Sequence, residues 1–198
     1  MRIPTDMEIL ALHWKHAPTR EAFDLVYTHC EIVCGIAEQL FSNTNRALSI
    51  DLVRAGSLLH DIGVYRLYDN DGRLDHASYV RHGVLGYDLL RAEGFDEVIC
   101  RFCSCHTGVG ISRKDVLEQG LPLPVVDYLA ESAEEELVMY ADKFHSKTTP
   151  PTFVTVDSYA THVRRYGEDK VVIFKSMCEA FGVPDLGPFI RTHGHKVV

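Results

Sequence analysis

After Thr19 the apolar residues Phe23, Val26, Cys30, Val33, Ala37 and Leu40 recur every three or four positions. That period gathers them on one stripe of an α-helix, and a stripe this long has to be buried against other elements. The same signature returns along the chain. Thr5-Asp6-Met7-Glu8 is a capping-box pattern opening a helix that carries Ile9, Leu12 and His13. Ser49 begins a third helix through Leu52, Val53, Ala55, Leu59 and His60, stopped by Gly63. A fourth is expected from about Ala77 to Glu93 with Gly94 ending it, and Asp96 caps a fifth that carries Ile99, Phe102 and His106. Ser132-Ala133-Glu134-Glu135 is a second capping box, leading into Leu137, Val138, Ala141 and Asp142, and two more helices fit before Phe181-Gly182. Strand-like alternation is limited to short pieces such as Phe153-Val154-Thr155-Val156. The expected fold is therefore all-α: a single bundle of eight or nine helices spanning residues 1–198.

Composition narrows the function class. At 198 residues and 46% hydrophobic, the chain can bury one substantial core. Twenty Lys and Arg against 28 Asp and Glu give a net charge of −8 with histidine neutral. That balance disfavours a nucleic-acid polymer or an anionic membrane as partner, though not a small anion held at a local positive centre. No run approaches the ~18 apolar residues of a spanning helix, and Met1-Arg2-Ile3-Pro4-Thr5-Asp6 lacks the apolar stretch of a signal peptide. The six cysteines sit within apolar helical patterns, and Cys100, Cys103 and Cys105 have no second pair at zinc-site distance. They read as reduced, buried thiols of a cytoplasmic protein. The eleven histidines remain to be explained.

The chemistry concentrates at His60-Asp61. This doublet ends the apolar helix Ser57-Leu58-Leu59-His60-Asp61-Ile62-Gly63, where an imidazole beside a carboxylate is costly to bury unpartnered. A metal ion is a suitable partner, since neutral imidazole and ionised carboxylate are both ligands; a helix-end cap with a salt bridge is the structural alternative. Asp142 poses the same problem within Leu137, Val138, Met139 and Ala141. With His29 in Tyr27-Thr28-His29-Cys30, the order of these residues resembles the HD-domain metal-dependent phosphohydrolases, in particular their HDIG subgroup. The family pattern is an early His, a His-Asp doublet and a later Asp. The resemblance implies His29, His60, Asp61 and Asp142 as metal ligands. Two-metal members carry further histidines, for which the chain offers His82 in Arg81-His82-Gly83 and His106 in Cys105-His106-Thr107-Gly108. The resemblance covers about residues 20–146, leaving a C-terminal helical extension at 157–182.

Four imidazoles and two carboxylates without a thiolate favour Mn, Fe, Co, Ni or Zn over Mg or Ca. One or two such ions are expected, with Asp61 placed to bridge them where there are two and read as the catalytic carboxylate. Two divalent ions against Asp61 and Asp142 leave a local +2, which draws phosphate oxygens despite the overall −8; one ion leaves about zero. The expected activity is hydrolysis of a phosphate mono- or diester of a nucleotide or other small molecule by metal-activated hydroxide. A di-iron oxygenase, or a binding and regulatory domain without turnover, are the alternatives that the resemblance allows. Lys143, next to Asp142, and Arg66, five residues after Asp61, are the candidate phosphate donors. A homodimer is compatible with all of this. His76 and His145 are read as exposed groups or partners of the site, and His13, His16, His162, His193 and His195 as surface or tail residues. Asp69-Asn70-Asp71-Gly72-Arg73 reads as a turn.

Overall fold

The computed structural model describes residues 2–44 and 46–198. Ten α-helices appear among them: α1 (Asp6–His16), α2 (Arg20–Phe41), α3 (Ile50–Leu59), α4 (His82–Ala92), α5 (Glu97–Cys105), α6 (Arg113–Glu118), α7 (Ala133–Asp142), α8 (Val156–Val163), α9 (Glu168–Phe181) and α10 (Gly187–His193). The sequence period finds eight of these. The other two, α6 and α10, have six and seven residues, too short for a 3.6-residue period to show. Both expected capping boxes are formed, Thr5 with Glu8 and Ser132 with Glu135, so orphan amides at two helix starts are satisfied by side chains. The expected fourth helix is shorter than its pattern: Tyr79–Arg81 is a 3-10 turn and the α-helix begins at His82.

The stripe of α2 is the centre of the core. Val26, Cys30, Val33, Ala37 and Leu40 are fully buried, and α2 packs on α3 and α7 while α4 packs on α5. All six cysteines are free, five of them buried. The expected alternation at Phe153–Val156 yields only β2 (Thr152–Phe153), because Thr155 turns the chain as the N-cap of α8. β2 pairs antiparallel with β1 (His145–Ser146) and parallel with β3 (Lys196–Val197). In this small sheet β2 lies between the strand leaving α7 and the C-terminal strand. The expected extension is helical, as α8 and α9, and α9 packs against α7. No helix among the described residues is long and apolar enough to cross a membrane.

His13 differs from its expected surface position. It is fully buried, with Nδ1 2.9 Å from the Tyr65 hydroxyl and Nε2 2.8 Å from the Leu58 carbonyl. Its spacing from Ile9 and Leu12 puts it on the inner stripe of α1, and that stripe is what buries it.

Candidate metal centre

Five of the six candidate ligands sit where a helix starts or stops. His60 caps the C-terminus of α3, and Asp61 follows with φ −106° and ψ 7°, between helix and extended backbone. That break lets two consecutive side chains reach one cluster, although an unbroken helix would splay them about 100° apart. His82 is the first residue of α4, His106 caps α5, and Asp142 is the last residue of α7; His29 comes from the middle of α2. Gly63 makes the assembly sterically feasible. A Cβ there would lie 2.0 Å from the His82 carbonyl oxygen and 2.3 Å from the Gly86 nitrogen, so only hydrogen at this position lets α4 approach the His60-Asp61 turn.

The structure brings the six side chains together in two overlapping groups, His29, His60, Asp61 and Asp142, and Asp61, His82 and His106. In the first, His29 Nε2 lies 3.0 Å from Asp142 Oδ1 and 3.1 Å from Asp61 Oδ2, and His60 Nε2 lies 3.3 Å from His29 Nε2 and 3.4 Å from Asp61 Oδ2. In the second, His82 Nε2 lies 2.9 Å from His106 Nε2 and 3.4 Å from Asp61 Oδ1, with His106 Nε2 3.5 Å from the same oxygen. Donors bonded to one ion at about 2.1 Å are separated by about 3.0–3.4 Å at octahedral to tetrahedral angles. Both groups fit that spacing, and Asp61 turns one oxygen to each.

Hydrogen bonding argues for a cation in the same place. His60 Nδ1 donates to the Ser57 carbonyl at 2.7 Å, His82 Nδ1 to Tyr79 at 2.6 Å and His106 Nδ1 to Phe102 at 3.1 Å. With the proton on Nδ1, the Nε2 atoms of His82 and His106 present lone pairs to the cluster, the tautomer a metal requires. At His60 burial disfavours the charged form, but the Asp61 carboxylate outweighs it and raises the pKa well above the usual value. The lone pairs of His82 and His106 then face each other at 2.9 Å, repulsive unless a cation lies between them. A proton does not fill that role, since burial pushes His82 down to about 3 and lowers His106 as well. Asp61 is fully buried; its Oδ1 has no hydrogen-bond donor, and its Oδ2 meets the Lys147 ammonium. Burial pulls this carboxyl upward, but the Lys147 ammonium and then His60 hold it well below the usual range, so it is ionised. Burial opposes ionisation of Asp142 too, and Lys143 and His29 keep it low.

The cluster opens on a cavity of about 810 Å³, within the usual range for small-molecule sites. His82, His106 and Asp142 line its floor. The two expected phosphate donors fare differently. Lys143 lines the cavity but is buried, and its ammonium donates to Asp142 Oδ2 at 2.7 Å and to the His106 carbonyl at 2.9 Å. It holds the backbone of one candidate ligand and the outer oxygen of another. Arg66 is exposed and lies outside the cavity wall, because the 3-10 turn after Asp61 directs it to solvent. Asp69 folds the expected turn by accepting from the amides of Asp71 and Arg73. His76 is exposed at the cavity rim.

One site neighbour, Lys147, escapes the sequence pattern, and a second, His145, takes the site-partner alternative of its two readings. Lys147 contacts Asp61 Oδ2 with its ammonium and lies 5.7 Å over the Tyr79 ring. His145, buried rather than exposed, has its Nδ1 2.8 Å from His29 Nδ1 and its Nε2 3.0 Å from His195 Nδ1. His195, expected as a tail residue, thus ends a chain of three imidazoles that starts at a candidate ligand. The available signal is the two-residue alternation of His145 and Lys147 after α7, which puts both on one side of an extended segment.

The family model described as HD domain matches residues 26–147, more than half of the chain. An uncharacterized protein of Methanocaldococcus jannaschii is 37% identical over 120 residues, 59% of this chain and 64% of that protein. Two tRNA (cytidine(56)-2′-O)-methyltransferases are also similar: that of Thermoplasma volcanium, 33% identical over 71% of this chain, and that of Picrophilus torridus, 36% identical over 65%. The chain spans only 36% and 33% of their lengths. The fold is similar to the HD domain of the L. monocytogenes phosphodiesterase PgpH. That domain superposes with TM-score 0.52 at 15% identity, over 85% of this chain and 94% of that one. Its complex with cyclic-di-AMP gives 0.53 at 14% identity, over 96% and 99%. The ordered His29, His60-Asp61 and Asp142, the helical fold around them and the family match agree: the chain belongs to the HD-domain family.

Proposed function

We propose that this protein is a metal-dependent phosphohydrolase that cleaves a phosphate mono- or diester of a nucleotide or other small molecule, in which His29, His60, Asp61 and Asp142 would hold one divalent transition-metal ion (Mn, Fe, Co, Ni or Zn) and Asp61, His82 and His106 a second. The observation that carries this reading is the pair of opposed imidazole lone pairs beside the buried Asp61 carboxylate, whose Oδ1 lacks a donor. Such ions, when bound, polarise phosphoryl oxygens and lower the pKa of water toward neutrality. The chain's own groups do the rest. His29, His60 and Asp142 hold one side of Asp61, and His82 and His106 the other. Lys143 fixes Asp142 by its outer oxygen and leaves Oδ1 facing the cluster. The cavity admits a ligand of nucleotide size, and the HD domain of similar fold was solved with cyclic-di-AMP. Two ammonium groups beside the cluster favour an anionic substrate over a neutral one, and hence hydrolysis over a di-iron oxygenase acting on a polyol.

The test is a panel of phosphatase and phosphodiesterase substrates with Mn, Co, Ni and Fe, run beside oxygen uptake on protein purified anaerobically. Metal-dependent hydrolysis without oxygen uptake is expected, and His60→Ala or Asp61→Ala should abolish both bound metal and turnover. Full metal content and activity in those variants would refute the site, while oxygen uptake without hydrolysis would refute the reaction.

A further inference from the structure

Lys147 lies one residue beyond β1, only 14% of its side chain is exposed, and its ammonium contacts Asp61 Oδ2. That oxygen also faces His29 Nε2 at 3.1 Å and His60 Nε2 at 3.4 Å. A divalent ion held by His29, His60 and Asp142 needs the same oxygen, and a dication repels an ammonium at contact distance in a buried site. Lys147 and a metal therefore compete for Asp61.

The local charge depends on which of them is present. The carboxylates of Asp61 and Asp142 balance the ammonium groups of Lys143 and Lys147, so these four groups sum to zero. One divalent ion raises the sum to +2 and two raise it to +4. Lys143 is tied down, since its ammonium donates to both Asp142 and the His106 carbonyl. Among the described residues Lys147 has Asp61 as its one ion-pair partner, and its side chain lines the cavity next to Ser146 and Thr148. Once displaced, it has open space on one side and a centre short of negative charge on the other.

We propose that Lys147 is an exchangeable counter-ion, neutralising Asp61 in the metal-free cluster and turning to the phosphoryl oxygens of the substrate when metal takes Asp61. The second half rests on the phosphohydrolase reading; the first stands without it. The exchange makes metal and phosphate binding mutually supportive: the cation that metal expels becomes the group that phosphate recruits.

Lys147→Gln in the full chain separates this from a structural role, because it moves two affinities in opposite directions. Competition with a chelator should show Mn²⁺ bound at least about 10-fold more tightly by the variant than by the unmodified protein. Inorganic phosphate should bind the Mn²⁺-loaded variant at least about 10-fold more weakly. Lys147→Arg keeps the charge and should keep phosphate affinity within about 3-fold. Mn²⁺ affinity that is unchanged or weaker in Lys147→Gln overturns the counter-ion role, and unchanged phosphate affinity overturns the exchange. The unmodified protein gives an independent check that does not depend on a variant folding. Reductive methylation read by mass spectrometry should label Lys147 at least about 3-fold more after Mn²⁺ loading and less again with phosphate; constant labelling overturns the proposal. If both affinities shift as stated while no phosphate ester is hydrolysed, the reaction assigned above is wrong and the role of Lys147 stands.

Discussion

Replacing Gly63 by alanine would insert a methyl group where the His60-Asp61 turn meets α4. Its Cβ would lie 2.0 Å from the His82 carbonyl oxygen, 2.3 Å from the Gly86 nitrogen and 2.7 Å from the Gly86 Cα. All three are backbone atoms, so no side-chain rotation relieves the clash. Real Cβ contacts essentially never fall below 3.0 Å, so the His82 carbonyl must retreat by at least 3.0 − 2.0 = 1.0 Å. Overpacking on this scale costs about 1–3 kcal/mol, which for a domain of this size lowers Tm by about 2–12 °C. The functional consequence is selective. His82 begins α4, and a metal site tolerates ligand displacements of only about 0.2 Å. The group formed by Asp61, His82 and His106 should lose its ion, while His29, His60 and Asp142 lie on α2, α3 and α7 and keep theirs. Thermal melting and elemental analysis of Gly63→Ala should thus show a lower Tm and a fall from two ions per chain toward one. An unchanged Tm with two ions retained would refute the close-approach reasoning.

Two further predictions come from the buried histidines. His145→Ala removes the acceptor beside His29 Nδ1, and loss of such a partner lowers metal affinity by about 10–100-fold; chelator competition giving an unchanged affinity would show that the imidazole chain does not orient His29. Burial pushes His13 down from 6.5 to about 4. The unfolded chain therefore binds a proton that the folded chain refuses, so this contribution to stability is complete above about pH 6.5 and is lost as pH falls toward 4. It amounts to as much as about 3 kcal/mol. Denaturant unfolding with chelator at pH 7 and pH 4.5 should show the loss in the unmodified protein and a smaller one in His13→Gln; equal losses would count against it.

Legibility followed the range of the interactions. Helix period and capping boxes are local, and they gave α1, α2, α3, α5 and α7 their places, with the ends of α3 and α7 carrying His60, Asp61 and Asp142. Short α6 and α10 carry too few residues for a period, and Ser78 to Arg81 formed a tight turn where the apolar pattern suggested an α-helix. Burial of His145 and Lys147 depends on contacts distant in the chain: His29 and His145 are 116 positions apart, and Lys147 meets Asp61, four helices earlier in the chain. Lys143 and Arg66 show the same limit from the other side. Sequence adjacency to a ligand made both candidates for phosphate, yet the fold ties Lys143 to Asp142 and turns Arg66 to solvent.

The central claim is a cluster of six side chains that holds two ions with Asp61 between them. Elemental analysis of Mn²⁺-loaded protein beside its His82→Ala variant tests it most directly. Two ions per chain in the unmodified protein and one in the variant are the predicted results. One ion per chain in both would contradict the bridged pair.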